Sequence, residues 1–175
     1  MNPDLQSEDV RGELERLHPE SFAWALWCCR RRRDEAEDVL QTVYVKVLEG
    51  KARFDGRSSF RTWLFGVVRH TAAEQRRRHW LRDALLLKWF AAAPAPVVTG
   101  DPEGTLGEAH RNRQLRAAVD RLPERQREVL HLVFYQEMTV EEAAQTLQIS
   151  VGTARTHFDR GKSRLRQLLS SEEAG

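Results

Sequence analysis

Apolar residues recur along nearly the whole chain at the three-to-four-residue spacing of a helix, and almost nowhere at the alternating spacing of a strand. That pattern predicts an all-α fold. One stretch breaks it: APAPVVTGDPEGTLGE, residues 93–108, holds three prolines and three glycines and no Lys or Arg. Proline cannot continue a helix and glycine weakens one, so this segment reads as a flexible acidic linker. The 175 residues then divide into two small helical domains, 1–92 and 109–170, joined by that tether.

Four helices are predicted before the linker: Asp4 to Leu17, Ser21 to Arg32, Asp34 to Glu49, and Ser59 to Trp80. In the second, Phe22, Leu26 and Cys29 share a face. In the third, capped by Asp34, Val39, Val43 and Val47 repeat at every fourth position. The fourth carries an apolar stripe of Phe60, Leu64, Val67, Val68 and Thr71. A polar loop, Asp55-Gly56-Arg57-Ser58-Ser59, leads into it, and its far end is strongly basic. After the linker, helices are expected over residues 109–121, ending before Leu122-Pro123, and from Glu124 to Tyr135.

Charge is uneven although the net value is only +2. From Lys51 to Lys88 ten Lys/Arg stand against three acids, whereas residues 1–50 hold seven Lys/Arg against eleven acids. An acidic surface and a basic one point to two different partners. The density of arginine beside aromatics in RFDGRSSFRTWLFGVVRHTAAEQRRRHW suits a nucleic-acid surface better than a buried helix. The two cysteines, Cys28 and Cys29, are adjacent; they form a poor metal pair and an unfavourable disulfide, and read as buried thiols. No spaced Cys/His set, catalytic nucleophile motif or Gly-rich phosphate loop is present, so neither metal, cofactor nor enzymatic activity is expected. No signal peptide or membrane-length apolar run is found, so no membrane insertion and a cytoplasmic location are expected.

The most specific pattern lies near the C-terminus, in MTVEEAAQTLQISVGTARTHFDRGKSRLRQLL. Thr139 with Glu142 three residues on forms a capping box. It starts a short helix with Val140, Ala143, Ala144 and Leu147 inward. Gln148-Ile149-Ser150 makes the turn, and Ser150 caps a second helix with Ala154, Phe158, Gly161, Leu165 and Leu168 facing the core. Small residues at Ala143, Ala144, Ala154 and Gly161 let the helices approach closely. The outer face carries Arg155, Thr156, His157, Asp159, Arg160 and Lys162. This is a helix-turn-helix suited to the major groove, where Arg reads guanine and Thr touches a thymine methyl. A helical hairpin with merely solvated charges is the plainer alternative.

The segment Leu122 to Leu169, with its Leu122-Pro123, Arg125-Gln126-Arg127, Glu141-Glu142-Ala143-Ala144 and Gly152-Thr153, resembles the −35-binding domain of bacterial sigma factors. It also resembles response-regulator output domains. The first half discriminates. Asp34 to Gln41, DEAEDVLQ, resembles the segment with which sigma factors grip the polymerase clamp. Phe60-Arg61-Thr62-Trp63-Leu64, then Val68-Arg69-His70 and Arg76-Arg77-Arg78, resemble their promoter-melting segment. The family more often has Val at Ala154, a basic residue at His157, Leu at Phe158, Asn at His70 and Asp at Glu74. With two domains only, the chain is similar to the extracytoplasmic-function group.

That resemblance implies a sigma subunit with core RNA polymerase (clamp and flap) and promoter DNA as partners, and commonly an anti-sigma factor. It implies −35 contacts at Thr153, Arg155, Thr156, His157 and Arg160. It implies −10 contacts at the loop residues Phe54, Asp55, Arg57 and Ser58, which would enclose an extruded base, and at Arg61, Arg69, His70, Gln75, Arg76 and Arg77, which would follow the backbone. Glu37, Asp38, Gln41 and Tyr44 would meet polymerase. Trp63 reads as core, with base stacking as the other option, and Arg78 and Arg82 as solvated. Arg30 to Arg33 either pair with the acidic stretch or are solvated. The linker acids Asp101, Glu103 and Glu108 would mimic a nucleic-acid backbone in the polymerase channel, or simply sit on a tether. A helix-turn-helix regulator that binds duplex DNA without polymerase is the alternative function.

Overall fold

In a computed structural model, residues 7–87 and 114–173 are described. They are helices joined by turns, with no strand among them. The chain divides into two compact units, one within Met1–Thr99 and the other within Gly100–Gly175. The predicted linker, 93–108, and the predicted helical residues before Ser7 lie outside the described residues, as do 109–113.

The first unit holds α1 (Ser7–Arg16), α2 (His18–Cys28), α3 (Arg33–Leu48) and α4 (Phe60–Leu87). α1 and α2 meet at Leu17, whose side chain is buried between them. α2 begins three residues earlier than predicted, because Pro19 in its first turn has no hydrogen bond to lose there. Its buried face is Ser21, Trp24, Ala25 and Cys28 rather than Phe22, Leu26 and Cys29, although Cys29 too is buried. α3 follows expectation, with Val39, Val43 and Val47 buried alongside Ala36 and Leu40. α4 contributes Leu64, Phe65, Val68 and Ala72. Trp24 stacks on Phe65 at 6.1 Å between centroids and donates its indole N–H to the Phe65 carbonyl at 3.0 Å. Each fully buried Leu or Phe side chain here stabilises the unit by about 1.5–3 kcal/mol.

The helix ends show how local chemistry sets the boundaries. Ser59 caps α4: the Thr62 N–H donates to Ser59 Oγ at 3.1 Å. Asp34 does not cap α3. The N-cap is Arg32, without a side-chain bond, and Asp34 and Glu35 lie in the first turn, where their charge complements the helix dipole. Gly50, at φ +69°, ends α3 in the left-handed conformation usual for a helix terminus.

The α2–α3 turn is less ordinary. Arg30 (φ 52°) and Arg31 (φ 64°) are both left-handed. The Arg31 N–H reaches back to the Leu26 carbonyl at 2.8 Å and the Arg30 N–H to Trp27 at 3.1 Å, a Schellman-type closure. Holding a non-glycine residue there costs about 1–3 kcal/mol each.

In the second unit, α5 (residues 114–120) is followed by α6 (Glu124–Phe134), α7 (Val140–Leu147) and α8 (Val151–Glu173). The Thr139–Glu142 capping box is present in both directions. Gln148, at φ 54°, closes α7, and Ser150 caps α8 through the Thr153 N–H at 3.1 Å. Val129, Leu132, Ala143, Ala144, Leu147 and Ala154 form the core. Gly161 lies where α8 presses on α6: a Cβ there would fall 3.0 Å from Leu130 Cδ1.

Candidate nucleic-acid interface

The second helix of the helix-turn-helix is the first 10 residues or so of α8. Thr153, Arg155, Thr156 and Arg160 are exposed on it, as predicted. Arg155 Nη2 lies 2.8 Å from Glu141 Oε1 of α7, and that bond holds the Glu141 carboxyl below the usual carboxylate range. Thr156 donates its hydroxyl to the Gly152 carbonyl at 3.0 Å, which fixes its rotamer. His157 is only half-exposed, so it differs from the other four. Lys162 covers the Phe158 ring at 4.2 Å, and Phe158 stacks on Phe134 at 5.6 Å, so Phe158 sits at the edge of the core rather than within it.

On the first unit, the loop before α4 is anchored at both ends, by Phe54 and by Ser59, and open in the middle. Phe54 is half-buried in a cluster with Phe60 (5.5 Å) and Trp63 (5.5 Å), and Trp63, expected in the core, is itself only half-buried at the edge of it. Asp55 accepts from the Arg57 N–H at 3.2 Å, an Asx turn, and Gly56 follows a left-handed path at φ +72°. Asp55 and Arg57 are exposed, while Ser58 is half-buried.

Along α4 the predicted residues separate into three groups. His70 and Arg77 are exposed and lie two turns apart on one stripe. Arg61, Arg69 and Arg76 are half-buried; Arg61 pairs with Glu20 and lies over the Phe65 ring at 5.0 Å, and Arg76 donates to the Cys28 carbonyl at 3.4 Å. Gln75 donates to Thr42 Oγ1 of α3 at 3.3 Å, next to Lys46, which bonds Thr71 and Glu74. Gln75 therefore joins two helices. Glu74 is kept well ionised by Lys46 and Arg78. Arg78 is exposed, as expected, and also pairs with Glu74 at 2.5 Å. Glu20 and Glu141, partners of the two arginines, escaped the sequence reading, because nothing local links them to residues 41 and 14 positions away.

A separate face lies on α3. Glu37, Asp38 and Gln41 are exposed, Glu37 being paired with Arg33 at 2.8 Å. Val45 (46% exposed) and Leu48 (49%) extend that face; their helical spacing from Asp38 and Gln41 was the available signal, but apolar residues read as core. Tyr44 is turned inward and half-buried, its hydroxyl 3.0 Å from His18 Nδ1, and burial raises its pKa. On the second unit Phe134 (65%) and Tyr135 (68%) are exposed aromatics. Cys28 and Cys29 are both buried, and burial pushes the Cys29 thiol up to about 11. Among the described residues there is no cluster of metal-ligating side chains, and no helix is long and apolar enough to cross a membrane.

Comparison with known proteins places both surfaces in one family. Residues 14–82 match Sigma-70 region 2, and residues 112–165 match Sigma-70, region 4. The ECF RNA polymerase sigma factor SigX of Bacillus subtilis is 33% identical over 141 residues, covering 78% of this chain and 72% of SigX. The ECF sigma factor EcfG of Rhodopseudomonas palustris is 31% identical, covering 78% and 72%. The sigma factor RpoE of Bartonella quintana, solved in complex with the anti-sigma factor NepR, has the same fold: TM-score 0.70, 24% identity, 93% of this chain and 98% of that one. The chain belongs to the extracytoplasmic-function sigma factors of RNA polymerase. It is thus a transcription initiation factor whose partners are core polymerase and promoter DNA.

Proposed function

We propose that this sigma factor divides its work between the surfaces described above. Arg155 and Arg160, with Thr153 and Thr156 between them and His157 at the edge, read the −35 duplex. The loop Phe54 to Ser59 encloses one unstacked −10 base, with Phe54 as its anchor, while Arg69, His70, Arg76 and Arg77 follow the opened strand. Arg61 takes part by exchanging Glu20 for a phosphate. Gln75 acts indirectly, by joining α4 to α3. Glu37, Asp38 and Gln41, with Val45 and Leu48, meet the polymerase clamp, and Tyr44 supports that face from behind. The exposed Phe134 and Tyr135 suit an apolar contact with the flap.

The observation that carries this reading is the order of two separate surfaces in one chain, an acidic and apolar face on α3 and a basic recognition helix on α8. The region 2 match disfavours the alternative of a regulator that binds duplex DNA without polymerase. The domain limits 1–92 and 109–170, with an acidic tether between, belong to the same proposal. So do action in the cytoplasm without catalysis and capture by an anti-sigma factor, which the solved RpoE–NepR pair supports by likeness of fold.

Asp38→Arg tests it. The variant should lose most of its affinity for core polymerase in a pull-down and its run-off transcription, while its −35 duplex binding stays at the wild-type level. Full retention of core affinity would refute the assignment of the α3 face.

A further inference from the structure

Arg30 and Arg31, which open the four-arginine turn Arg30 to Arg33, have no part in the surfaces above. Two of its members are accounted for: Arg32 pairs with Glu35 at 2.6 Å and Arg33 with Glu37 at 2.8 Å. Arg30 and Arg31 are exposed, and no ion pair holds either. They are also the two residues held left-handed in succession, where glycine or asparagine would sit without strain. A turn that keeps two arginines against their backbone preference presents charge at the cost of stability.

The turn is tied to the basic helix. Arg76 of α4 donates to the carbonyl of Cys28, two residues before Arg30. Glu35, the partner of Arg32, lies 3.9 Å from His79 Nδ1 of α4. These two contacts make the arginine turn a neighbour of the basic part of α4 that carries Arg76 and Arg77. Of the acids that follow the turn, Glu35 is paired with Arg32 and Glu37 with Arg33 while Asp34 stays exposed, so the two charges of Arg30 and Arg31 stand against the single charge of Asp34.

We propose that Arg30 and Arg31 form a second phosphate-binding site, which holds the backbone of promoter DNA just beyond the opened strand on α4. Contact of this kind is independent of base sequence and is driven by release of condensed counterions. It lengthens the grip of the first unit without adding a base preference. The inference rests on the reading that α4 carries the opened strand.

Arg30→Gly/Arg31→Gly separates function from structure, because glycine relieves the strained turn while removing both charges. The Tm should equal or exceed that of wild type. Holoenzyme assembled on core polymerase should bind a promoter fragment mismatched across −10 on the order of tenfold more weakly at 0.1 M salt, and the slope of log affinity against log salt should fall by about 1.5. Arg30→Lys/Arg31→Lys should restore most of the slope. An unchanged slope in the glycine variant overturns the proposal, as does a loss confined to core-polymerase affinity, which would make the partner a protein. Arg77→Ala, measured alongside, distinguishes the two levels. If it weakens binding while the glycine variant does not, only this site fails; if neither does, the placement of the strand on α4 fails with it.

Discussion

Arg155 of α8 and Glu141 of α7 are bound across the helix-turn-helix, Nη2 to Oε1 at 2.8 Å, and both side chains are more than half exposed. An ion pair in that setting adds little to stability. It holds the guanidinium on the outer face of α8, where the proposed −35 contact would lie. Arg155→Ala should cost about 1–3 kcal/mol of specific −35 binding, roughly fivefold to 150-fold. If Arg155 reads a base as proposed, Glu141→Gln should leave stability within about 0.5 kcal/mol and raise affinity for unrelated duplex, while lowering discrimination at that base. Competition anisotropy with single-base variants of the −35 element measures both. Unaltered discrimination in Glu141→Gln would mean that the pair does not position Arg155.

His131, in the last turn of α6, supplies a pH dependence. Burial pulls its imidazole down to about 3. The folded protein therefore leaves His131 neutral between pH 6.5 and 3, whereas the unfolded chain takes up a proton below about 6.5. Stability from this group is complete above pH 6.5 and falls as pH drops, by about 1.4 kcal/mol at pH 5.5. All five tryptophans precede the second unit, so far-UV circular dichroism rather than Trp fluorescence follows its melting. His131→Leu should flatten that part of the profile. An identical acid loss in the variant would place its source elsewhere.

Gly161 sets the approach of α8 to α6. A Cβ would lie 3.0 Å from Leu130 Cδ1 and 3.3 Å from Gln126 Cβ. For Ala, the helix-propensity gain of about 1 kcal/mol works against that crowding, and the variant should stay within about 1 kcal/mol of wild type. Gly161→Leu has no room and should lose about 1–3 kcal/mol, with a lower Tm and weaker −35 binding as the recognition helix shifts. A Leu variant as stable as wild type would show that the crossing is loose.

Much of this was legible from short-range chemistry. The Thr139–Glu142 box, the Ser150 cap and the Val39-Val43-Val47 row depend on residues three or four apart, so the sequence contains all the terms that decide them. α2 was harder. Phe22 to Cys28 is apolar on every side, so periodicity gives no phase, and the contact of Trp24 with Phe65 on α4 selects the face, which then includes the polar Ser21. The partners Glu20 of Arg61 and Glu141 of Arg155 are set by tertiary geometry, as is the inward turn of Tyr44 toward His18. The Arg30-Arg31 turn runs against local preference outright, since nothing in two arginines announces a left-handed backbone.

The loop before α4 supports the most decisive test. Phe54 at one end packs on Phe60 and Trp63, and Ser59 at the other caps the helix, so the segment between can change without disturbing either anchor. Replacing Asp55-Gly56-Arg57-Ser58 with Gly/Ser residues of equal length removes the Asx turn and the exposed Asp55 and Arg57 but keeps the fold. Polymerase affinity and Tm should be retained. Transcription from fully paired promoter should fall, and preference at one −10 position should relax, because the proposed pocket that offsets the unstacking cost of about a few kcal/mol would be lost. A promoter already mismatched across −10 carries less of that cost, so it should recover much of the lost rate. Measured side by side, an equal loss on both templates would show that the loop takes no part in melting, and that α4 alone holds the strand by its phosphates.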